Sequence, residues 1–403
     1  MTDTNRWRNS DDLREAARRR LPDGLFQFID RGSEDEFALR NNREALQRLR
    51  LRSRILRDVS GRGTASSLLG LPVSMPVVVA PTGPAGQVWW RGEIAMARAA
   101  QEAGIPCTVS TASTTPLEAI RAQGGGGRQW FQLYMWPDRQ MSYEVVDRAQ
   151  QAGYEALVVT VDSMVERNRP FEARTGFAPP VRLNRRNAWD ILTHPRWLLG
   201  VMGRYWVDKG MPRYENLPGT VKPKVTSHPR PAGMPKNDSL VWDDLSRLRE
   251  RWRGPLLVKG ITHADDALRA LDCGAQGVVV SNHGAVVFDS AVATIDVLPE
   301  VVAAVGGRMA VLVDSGFRRG SEVVKALALG ADAVMLGRVP LYGLAAAGQP
   351  GAKRALDIIQ SEILHTLAMV GCTSVDELGA QHVWRPGLSP MAPPSAFATF
   401  SRA

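Results

Sequence analysis

Eight short runs rich in β-branched residues recur along this chain, and they constrain its fold more than any other feature of the sequence. Between most of them lie stretches with a helical period of apolar residues, each closing at or near a glycine, as helix C-termini prefer. Strands that are apolar throughout and alternate with amphipathic helices predict a parallel sheet that is buried on both faces. The runs are VVVAP at 77–81, CTVST at 107–111, WFQLY at 130–134, ALVVTVD at 156–162, LLVKG at 256–260, GVVVSN at 277–282, AVLVDSG at 310–316 and AVMLGR at 333–338.

Eight strand–helix units spread over roughly 260 residues match an α/β fold of the (β/α)8 type, the TIM barrel, in size and number. A doubly wound sheet would need a Gly-x-Gly-x-x-Gly turn after an early strand, and none stands there. We therefore predict a barrel over residues 76–403, preceded by an N-terminal helical lead-in over residues 1–75. The lead-in includes a predicted helix from Asp11 to Arg20, for which Ser10 is a suitable cap.

A long insertion interrupts the repeat after the fourth strand, at about residues 175–240. Its first half, and residues 189–209 above all, combines tryptophan and leucine with arginine and lysine. This composition suits a peripheral membrane contact, and a helix packed over the barrel or against another subunit explains it equally well. The second half, at 219–239, is rich in proline and lysine and is predicted to be mobile.

The charge and cysteine content exclude several classes of protein. Fifty lysines and arginines against 41 aspartates and glutamates give a net charge of +9, but the basic residues are scattered and no basic stretch alternates with aromatic residues. We therefore expect an anionic lipid surface or an acidic substrate, and no nucleic acid. The lack of a long apolar run and of a signal-peptide core predicts a cytoplasmic protein, at most peripheral to a membrane. Three cysteines far apart argue against a disulfide framework and against a metal site.

Polar and ionisable residues follow every one of the eight predicted strands. In a (β/α)8 barrel the carboxyl ends of the strands meet at one face, and that face holds the active site. So many polar groups exceed what a purely structural barrel needs, and they predict an active site there. The residues are Pro81, Thr82, Gly83, Ser110, Thr111, Gln132, Tyr134, Thr160, Asp162, Lys259, Ser281, Asn282, His283, Asp314, Ser315, Gly316, Gly337 and Arg338.

The last two strand ends have the composition of a phosphate site. Glycine lets backbone N–H groups approach a phosphate closely, a helix N-terminus favours an anion, and arginine adds paired hydrogen bonds. Gly316 and Arg318 follow the seventh strand, and Gly337 and Arg338 follow the eighth, where such barrels usually bind phosphate. The two ends together predict a cofactor that carries a phosphate.

A histidine and a lysine among these strand ends are candidates for the chemistry itself. His283 ends the sixth strand and Asp162 ends the fourth, and a histidine polarised by a carboxylate is the usual general base. Lys259 ends the fifth strand, where a buried ammonium is costly unless it meets an anion or an electron-rich ring. A flavin ring, which gains negative charge on reduction, would meet that condition.

Five longer strings carry a resemblance to a known family. They are VSTAS at 109–113, HPRW at 194–197, KGMPR at 209–213, VDSGFRRGSEVVKALALGADAVMLGR at 313–338 and LYGLAAAG at 341–348. The chain resembles the FMN-dependent 2-hydroxy-acid dehydrogenases and oxidases over about Arg20 to Ala347. In these five strings it resembles the mandelate dehydrogenases of that family most closely. The resemblance implies an FMN-dependent enzyme that acts on a small molecule, passes electrons to oxygen or a quinone, and forms a homo-oligomer, usually a tetramer.

The resemblance also implies a role for most of the strand-end residues. His283 would take a proton from the substrate while a hydride or its equivalent passes to the flavin. Asp162 would stabilise the protonated histidine, and Tyr134 would contact the substrate hydroxyl. The implied FMN contacts are Pro81, Thr82 and Gly83 along the ring, Ser110, Gln132 and Thr160 as its hydrogen-bond partners, Lys259 at its N1/O2 edge, Ser281 as a further contact, and Asp314, Gly316, Arg318, Gly337 and Arg338 at the ribityl chain and phosphate.

Two positions depart from the family pattern in the subsite for the substrate carboxylate. The family's SNHGGRQLD is SNHGAVVFD here, at 281–289, so Val286 stands in place of the main carboxylate-binding arginine. Phe28 stands in place of a tyrosine that helps bind the same carboxylate. Arg169, seven residues after Asp162, matches a second arginine of the family's substrate pocket. Losing one partner of a desolvated ion pair usually costs about 2–5 kcal/mol, so the two departures predict a changed substrate.

Three functions are consistent with these matches and departures. The first, which the departures favour, is oxidation of a C–H bond next to a hydroxyl or amine on an aromatic or apolar substrate that lacks the usual carboxylate contact. The second is mandelate-like oxidation of a 2-hydroxy acid, with Arg169 or another arginine binding the carboxylate. The third is a non-catalytic flavin-binding partner protein, against which the presence of His283, Asp162, Tyr134 and Lys259 argues.

Overall fold

The computed structural model describes residues 3–83, 85–177, 181, 184–219, 222–227 and 238–385. Eight parallel strands close into a barrel, which confirms the predicted (β/α)8 fold. Each strand pairs with the next one along the chain, and β8 pairs with β1. The strands are β1 Val77–Val79, β2 Cys107–Ser110, β3 Gln129–Leu133, β4 Ala156–Thr160, β5 Leu256–Ile261, β6 Gly277–Val280, β7 Ala310–Val313 and β8 Ala333–Leu336.

Alternation along the strands divides the apolar residues between the two sides of the barrel wall. Side chains such as Val78 and Trp130 form one buried cluster, which fills the inside of the barrel. Their neighbours Val79 and Phe131 belong to a second, larger cluster that includes the surrounding helices. A short hairpin within residues 66–73 adds two more side chains to the inner cluster. The interior is therefore packed, and the space for chemistry lies at the mouth of the barrel.

Helices surround the barrel, and the first of them lie in the N-terminal lead-in, before the first barrel strand. Asn9 caps the first helix, because its side-chain oxygen accepts hydrogen bonds from the N–H groups of Asp11 and Asp12, each at 2.9 Å. Ser10, the predicted cap, is instead the first helical residue, and Asn9 has the extended backbone that a cap requires. The α-helices are Ser10–Arg20, Asp23–Asp30, Phe37–Arg48, Ala85–Val88, Gly92–Glu102, Leu117–Gln123, Arg139–Gln151, Pro170–Thr175, Arg185–Leu192, Pro195–Trp197, Arg204–Asp208, Trp242–Arg251, Ala264–Asp272, Thr294–Val305, Gly320–Ala328, Arg338–Ala347 and Gln349–Val370, and a two-residue strand, Arg50–Leu51, pairs with Val383–Trp384.

The lead-in is hydrogen-bonded to the loop that follows β6, at the mouth of the barrel. Asn42 and Asn282 exchange two side-chain hydrogen bonds, of 3.0 and 2.9 Å. The N–H of Ser33 donates to the carbonyl of Ala285 at 2.9 Å. These contacts place part of the lead-in at the active-site face, while the predicted division of the chain at residue 75 stays a prediction.

The described part of the insertion is mostly helical between residues 185 and 208, with a π-helical turn at Leu198–Gly203. One side packs on the protein through the buried Trp197, Val201 and Tyr205. The other side exposes large apolar side chains, namely Trp189, Leu192, Leu199, Trp206 and Val207. Much of the stretch predicted to be mobile, residues 220–221 and 228–237, lies outside the described residues. Among the described helices, none is long and apolar enough to cross a membrane.

Candidate active site

The three residues predicted to be catalytic lie together at the mouth of the barrel. His283 Nδ1 is 2.8 Å from Asp162 Oδ1, and His283 Nε2 is 3.2 Å from the hydroxyl oxygen of Tyr134. Three strand ends that are far apart in sequence therefore form one hydrogen-bonded row. When the ionised Asp162 accepts the Nδ1 proton, Nε2 carries none and can accept a hydrogen bond from Tyr134.

The backbone around His283 is strained, and hydrogen bonds hold it in place. His283 has a φ of 57°, in the left-handed region that residues with a side chain rarely adopt. Its N–H donates to Ser281 Oγ at 3.0 Å, and the N–H of Gly284 donates to Ser315 Oγ at 3.0 Å. These bonds fix the turn that brings the imidazole to Asp162.

The charge of Asp162 depends on its neighbours. Burial raises the pKa of its carboxyl, but the charge and hydrogen bond of His283 and the charge of Lys259 outweigh burial and hold that pKa below its usual value. Asp162 therefore stays ionised at neutral pH and can stabilise a protonated His283. Glycine is required at position 260, where φ is +113° and a Cβ would lie 2.6 Å from the Cβ of Asp162.

Lys259 is a buried cation, with 4% of its surface exposed. Its Nζ donates to Ser281 Oγ at 2.8 Å and lies 3.1 Å from Asp314 Oδ2. Burial lowers the pKa of the ammonium, but the carboxylates of Asp314 and Asp162 outweigh burial and raise that pKa above its ordinary value. Ser281 accepts hydrogen bonds from Lys259 and from the N–H of His283, so it joins this cation to the catalytic turn.

Two arginines, Arg318 and Arg338, line the same cavity. The guanidinium of Arg338 donates to the carbonyls of Ile29, Gly284 and Arg31, at 3.0, 2.9 and 3.1 Å. Burial, and after it the like charge of Arg318, lowers the pKa of Arg338. Within the described residues, neither guanidinium has a carboxylate at ion-pair distance. Two positive charges that repel each other and lack such a partner fit a bound phosphate.

The residues at the mouth fit FMN. Gln132 Nε2 and Thr160 Oγ1 are buried and have no hydrogen-bond partner among the described residues. Ser110 Oγ donates to the other end of the Gln132 amide at 3.2 Å, which orients the amide. Buried polar atoms are nearly always hydrogen-bonded, and these are side chains predicted to contact the flavin ring. Polar atoms of that ring would supply the missing partners.

The predicted cofactor residues surround one cavity of about 570 Å³, a volume in the usual range for cofactor sites. Two of them, Gln132 and Ser281, lie behind its wall, bonded to Ser110 and Lys259. The others line it: Pro81, Thr82, Gly83, Ser110, Thr160, Lys259, Asp314, Gly316, Arg318, Gly337 and Arg338. Their individual roles toward FMN stay predictions.

The predicted substrate residues line the same cavity. Phe28 and Val286 are part of its wall, so the two departures from the family pattern lie where the substrate would bind. Arg169 also lines the cavity, but 1% of its side chain is exposed, and it forms an ion pair of 2.6 Å with Glu172. Arg167 is a further lining residue, which was not identified from the sequence. Its position between Asp162 and Arg169, after a barrel strand, was the available signal.

Comparison with known proteins defines the class of this protein. Residues 17–385 match the sequence model of the FMN-dependent dehydrogenases. The chain belongs to this family, it is an enzyme of the 2-hydroxy-acid dehydrogenase and oxidase type, and FMN is its cofactor. The resemblance predicted from the sequence is thereby confirmed.

Particular relatives cover nearly the whole chain. The (S)-mandelate dehydrogenase of Pseudomonas putida is 38% identical over 385 residues, which are 96% of each protein. The L-lactate dehydrogenase of Alcaligenes faecalis is 40% identical over 375 residues, 93% of this chain and 97% of that one. A crystal structure of (S)-mandelate dehydrogenase, described as a monotopic membrane protein, has a TM-score of 0.87 at 38% identity and covers 94% of this chain and 99% of that one.

Proposed function

We propose that this protein oxidises 2-hydroxy acids with an aromatic or large apolar side chain, of which mandelate is the test case. The observation that carries the proposal is the row of Asp162, His283 and Tyr134, in which a base and a hydroxyl lie 3.2 Å apart at the cavity. The cavity that this row faces is lined in part by apolar side chains, among them Phe28, Val286, Met164, Val165 and Leu217. An aromatic side chain would be buried against this wall.

The protein's part in the reaction follows from the bonds of this row. When bound, FMN supplies the two-electron acceptor, and the strand-end residues named above would hold it. Tyr134 donates a hydrogen bond to the substrate hydroxyl, and His283 takes the substrate proton at Nε2. Asp162, already hydrogen-bonded to Nδ1, then stabilises the imidazolium. The positive charge of Lys259 favours negative charge on the cofactor.

The proposal replaces the function that the sequence favoured. A substrate without a carboxylate was expected because Val286 and Phe28 occupy the carboxylate subsite. The relatives named above are a mandelate and a lactate dehydrogenase, which supports a 2-hydroxy acid instead. A third function, as a non-catalytic flavin-binding partner, does not fit a chain of this enzyme family. The electron acceptor, oxygen or quinone, the tetramer and the cytoplasmic location stay predictions.

A comparison of mandelate with lactate tests the side-chain preference. We expect the value of kcat/KM for mandelate to exceed that for lactate by about 10- to 100-fold, because burying an aromatic ring contributes roughly 1.5–3 kcal/mol. Both acids are mixed anaerobically with the protein, and the loss of the flavin absorption band gives the rates. Equal values for the two acids, or a higher value for lactate, would contradict an aromatic-binding wall.

We also propose that residues 189–209 form a peripheral membrane contact. Its outer side exposes Trp189 (70%), Leu199 (70%) and Trp206 (58%), and the inner side is held by buried residues. Arg196, Arg204 and Lys209 lie in the same segment, and cations near exposed tryptophans suit an anionic lipid surface. The relative described as a monotopic membrane protein supports this proposal.

Sedimentation with anionic liposomes tests the membrane contact. We expect binding at low salt that weakens as salt rises, because the attraction of the basic residues is screened. The double variant Leu199→Ser/Trp206→Ser should lose most of the binding. Ile55→Ser, which removes an exposed apolar side chain elsewhere (80% exposed), is the matched control and should bind as the wild type does. Failure of the wild type to bind at low salt would leave the alternative, a surface that packs against another subunit.

A further inference from the structure

The carboxylate of a 2-hydroxy acid needs a cation in this cavity, and positions 286 and 28 do not provide one. An unpaired carboxylate in a desolvated pocket is costly, and arginine is the side chain best suited to hold it. Among the residues that the structure describes, five arginine and lysine side chains line the cavity: Arg167, Arg169, Lys259, Arg318 and Arg338. Lys259 is bonded to Asp314, and Arg318 and Arg338 belong to the predicted phosphate site. Of these described cations, Arg167 and Arg169 are left to pair with the carboxylate.

Arg169 is committed to bonds within the protein. Its Nη1 forms the 2.6 Å ion pair with Glu172, and its Nε donates to the carbonyl of Gly32 at 3.3 Å. Its Nη2 donates to the carbonyls of Phe28 and Arg31, at 2.8 and 3.1 Å. With 1% of the side chain exposed, Arg169 serves mainly to tie the loop after β4 to the lead-in.

Unlike Arg169, Arg167 has hydrogen-bond donors that are not used by the described residues. Its side chain is 39% exposed, and it has no hydrogen bond to any described residue. The nearest carboxylate oxygen is that of Glu172, at 4.0 Å, and this oxygen already pairs with Arg169. Its guanidinium carbon lies 5.0 Å from the centre of the Phe28 ring, and that of Arg169 lies 5.1 Å from the same ring. Stacking orients the Arg167 guanidinium without using its hydrogen-bond donors, whereas the donors of Arg169 are already bonded.

The charge of Arg167 acts on the catalytic row. Burial and the carboxylate of Asp162 raise the pKa of Tyr134, and the positive charges of Lys259 and Arg167 oppose this increase. A substrate whose hydroxyl contacts Tyr134 would thus have Arg167 within electrostatic reach of its carboxylate.

We propose that Arg167 is the substrate-binding residue for the carboxylate, in place of the arginine that Val286 replaces. It extends from the loop after β4, whereas the replaced position belongs to the loop after β6. Phe28 provides the surface on which the guanidinium stacks, so the two departures from the family pattern are linked. This inference rests on the proposed function, because it assumes that the substrate carries a carboxylate.

Binding of phenylacetate tests the inference without turnover. Phenylacetate has the ring and the carboxylate of mandelate but no hydroxyl to oxidise, and phenylacetamide is its neutral counterpart. We measure the dissociation constants of both from the change they cause in the flavin spectrum of the FMN-loaded protein. For Arg167→Met we expect the constant for phenylacetate to rise at least about tenfold, and that for phenylacetamide to change less than about twofold.

Two further variants make the result specific. Arg167→Lys keeps the charge but loses the fork of donors, and should fall between the wild type and Arg167→Met. Arg174→Met removes a positive charge from an exposed position on the helix Pro170–Thr175, outside the cavity wall, and should bind both ligands as the wild type does. If phenylacetate binds to Arg167→Met and Arg167→Lys within twofold of the wild type, the inference is wrong. The proposed function would fail separately, if mandelate did not reduce the flavin of the wild-type protein.

Discussion

Asparagine in place of His283 should slow the reduction of bound flavin by mandelate about 10²- to 10⁴-fold and leave FMN bound. The variant loses the ring nitrogen that accepts the substrate proton, 3.2 Å from the hydroxyl of Tyr134. It also loses the 2.8 Å bond through which Asp162 would stabilise the protonated base. The rate is measured by anaerobic stopped-flow absorbance at saturating mandelate, and the flavin content from the absorption spectrum.

His263→Asn is the matched control for this result. His263 follows β5, its side chain is 65% exposed, and it does not line the cavity, so its loss should leave the rate unchanged. A His283→Asn variant that reduces its flavin at the wild-type rate would remove His283 from the mechanism, and with it the role given to Asp162.

The double variant Arg318→Ala/Arg338→Ala should lose most of its FMN. Hydrogen bonds to charged groups contribute roughly 1.5–3 kcal/mol each, so removing both guanidiniums should weaken FMN binding by at least about 10²-fold. Flavin content after gel filtration and the dissociation constant of added FMN measure the effect. Riboflavin, which has no phosphate, should bind to the wild type and to the double variant about equally.

Two single variants separate phosphate binding from folding. Arg338 also bonds three backbone carbonyls, so Arg318→Ala, which leaves those bonds intact, should still weaken FMN binding. Arg319→Ala removes the neighbouring arginine, which is 44% exposed and paired with Glu362, and should retain FMN. Tight retention of FMN by the double variant would mean that the phosphate lies elsewhere.

Much of the fold and of the catalytic row could be predicted from sequence, for a physical reason. A parallel strand buried on both faces must be apolar throughout, so the eight strands are visible as runs, and their order fixes which ends meet. His283 and Asp162 are 121 residues apart, yet both follow barrel strands, and this alone predicts that they lie near each other. The orphaned Gln132 and Thr160 were predicted as flavin contacts by resemblance, and burial without a partner is what the structure adds.

Other features depend on the conformation of loops, which the periodic pattern of apolar residues does not predict. Arg169 was expected to bind a carboxylate, but its donors meet the carbonyls of Phe28 and Arg31, about 140 residues away on the lead-in. Arg167 was not identified from the sequence because an arginine in a loop of this kind is usually solvated. Its place in the cavity wall and its lack of hydrogen bonds to described residues are visible only in the structure. The helix cap was predicted at Ser10 and lies at Asn9. Serine and asparagine are equally good caps, and the backbone conformation, which the sequence does not show, decides between them.

We propose that this site oxidises a 2-hydroxy acid at the carbon that carries both its hydroxyl and its carboxylate, and that the protein recognises the negative charge of the acid. The most direct test is anaerobic mixing of the wild-type protein with mandelate and, separately, with its methyl ester, followed at the flavin absorption band. We predict that mandelate bleaches the flavin completely and that kcat/KM for the ester is at least about tenfold lower, because the ester cannot pair with an arginine. Bleaching by the ester as efficiently as by the acid, or by neither, would contradict the claim.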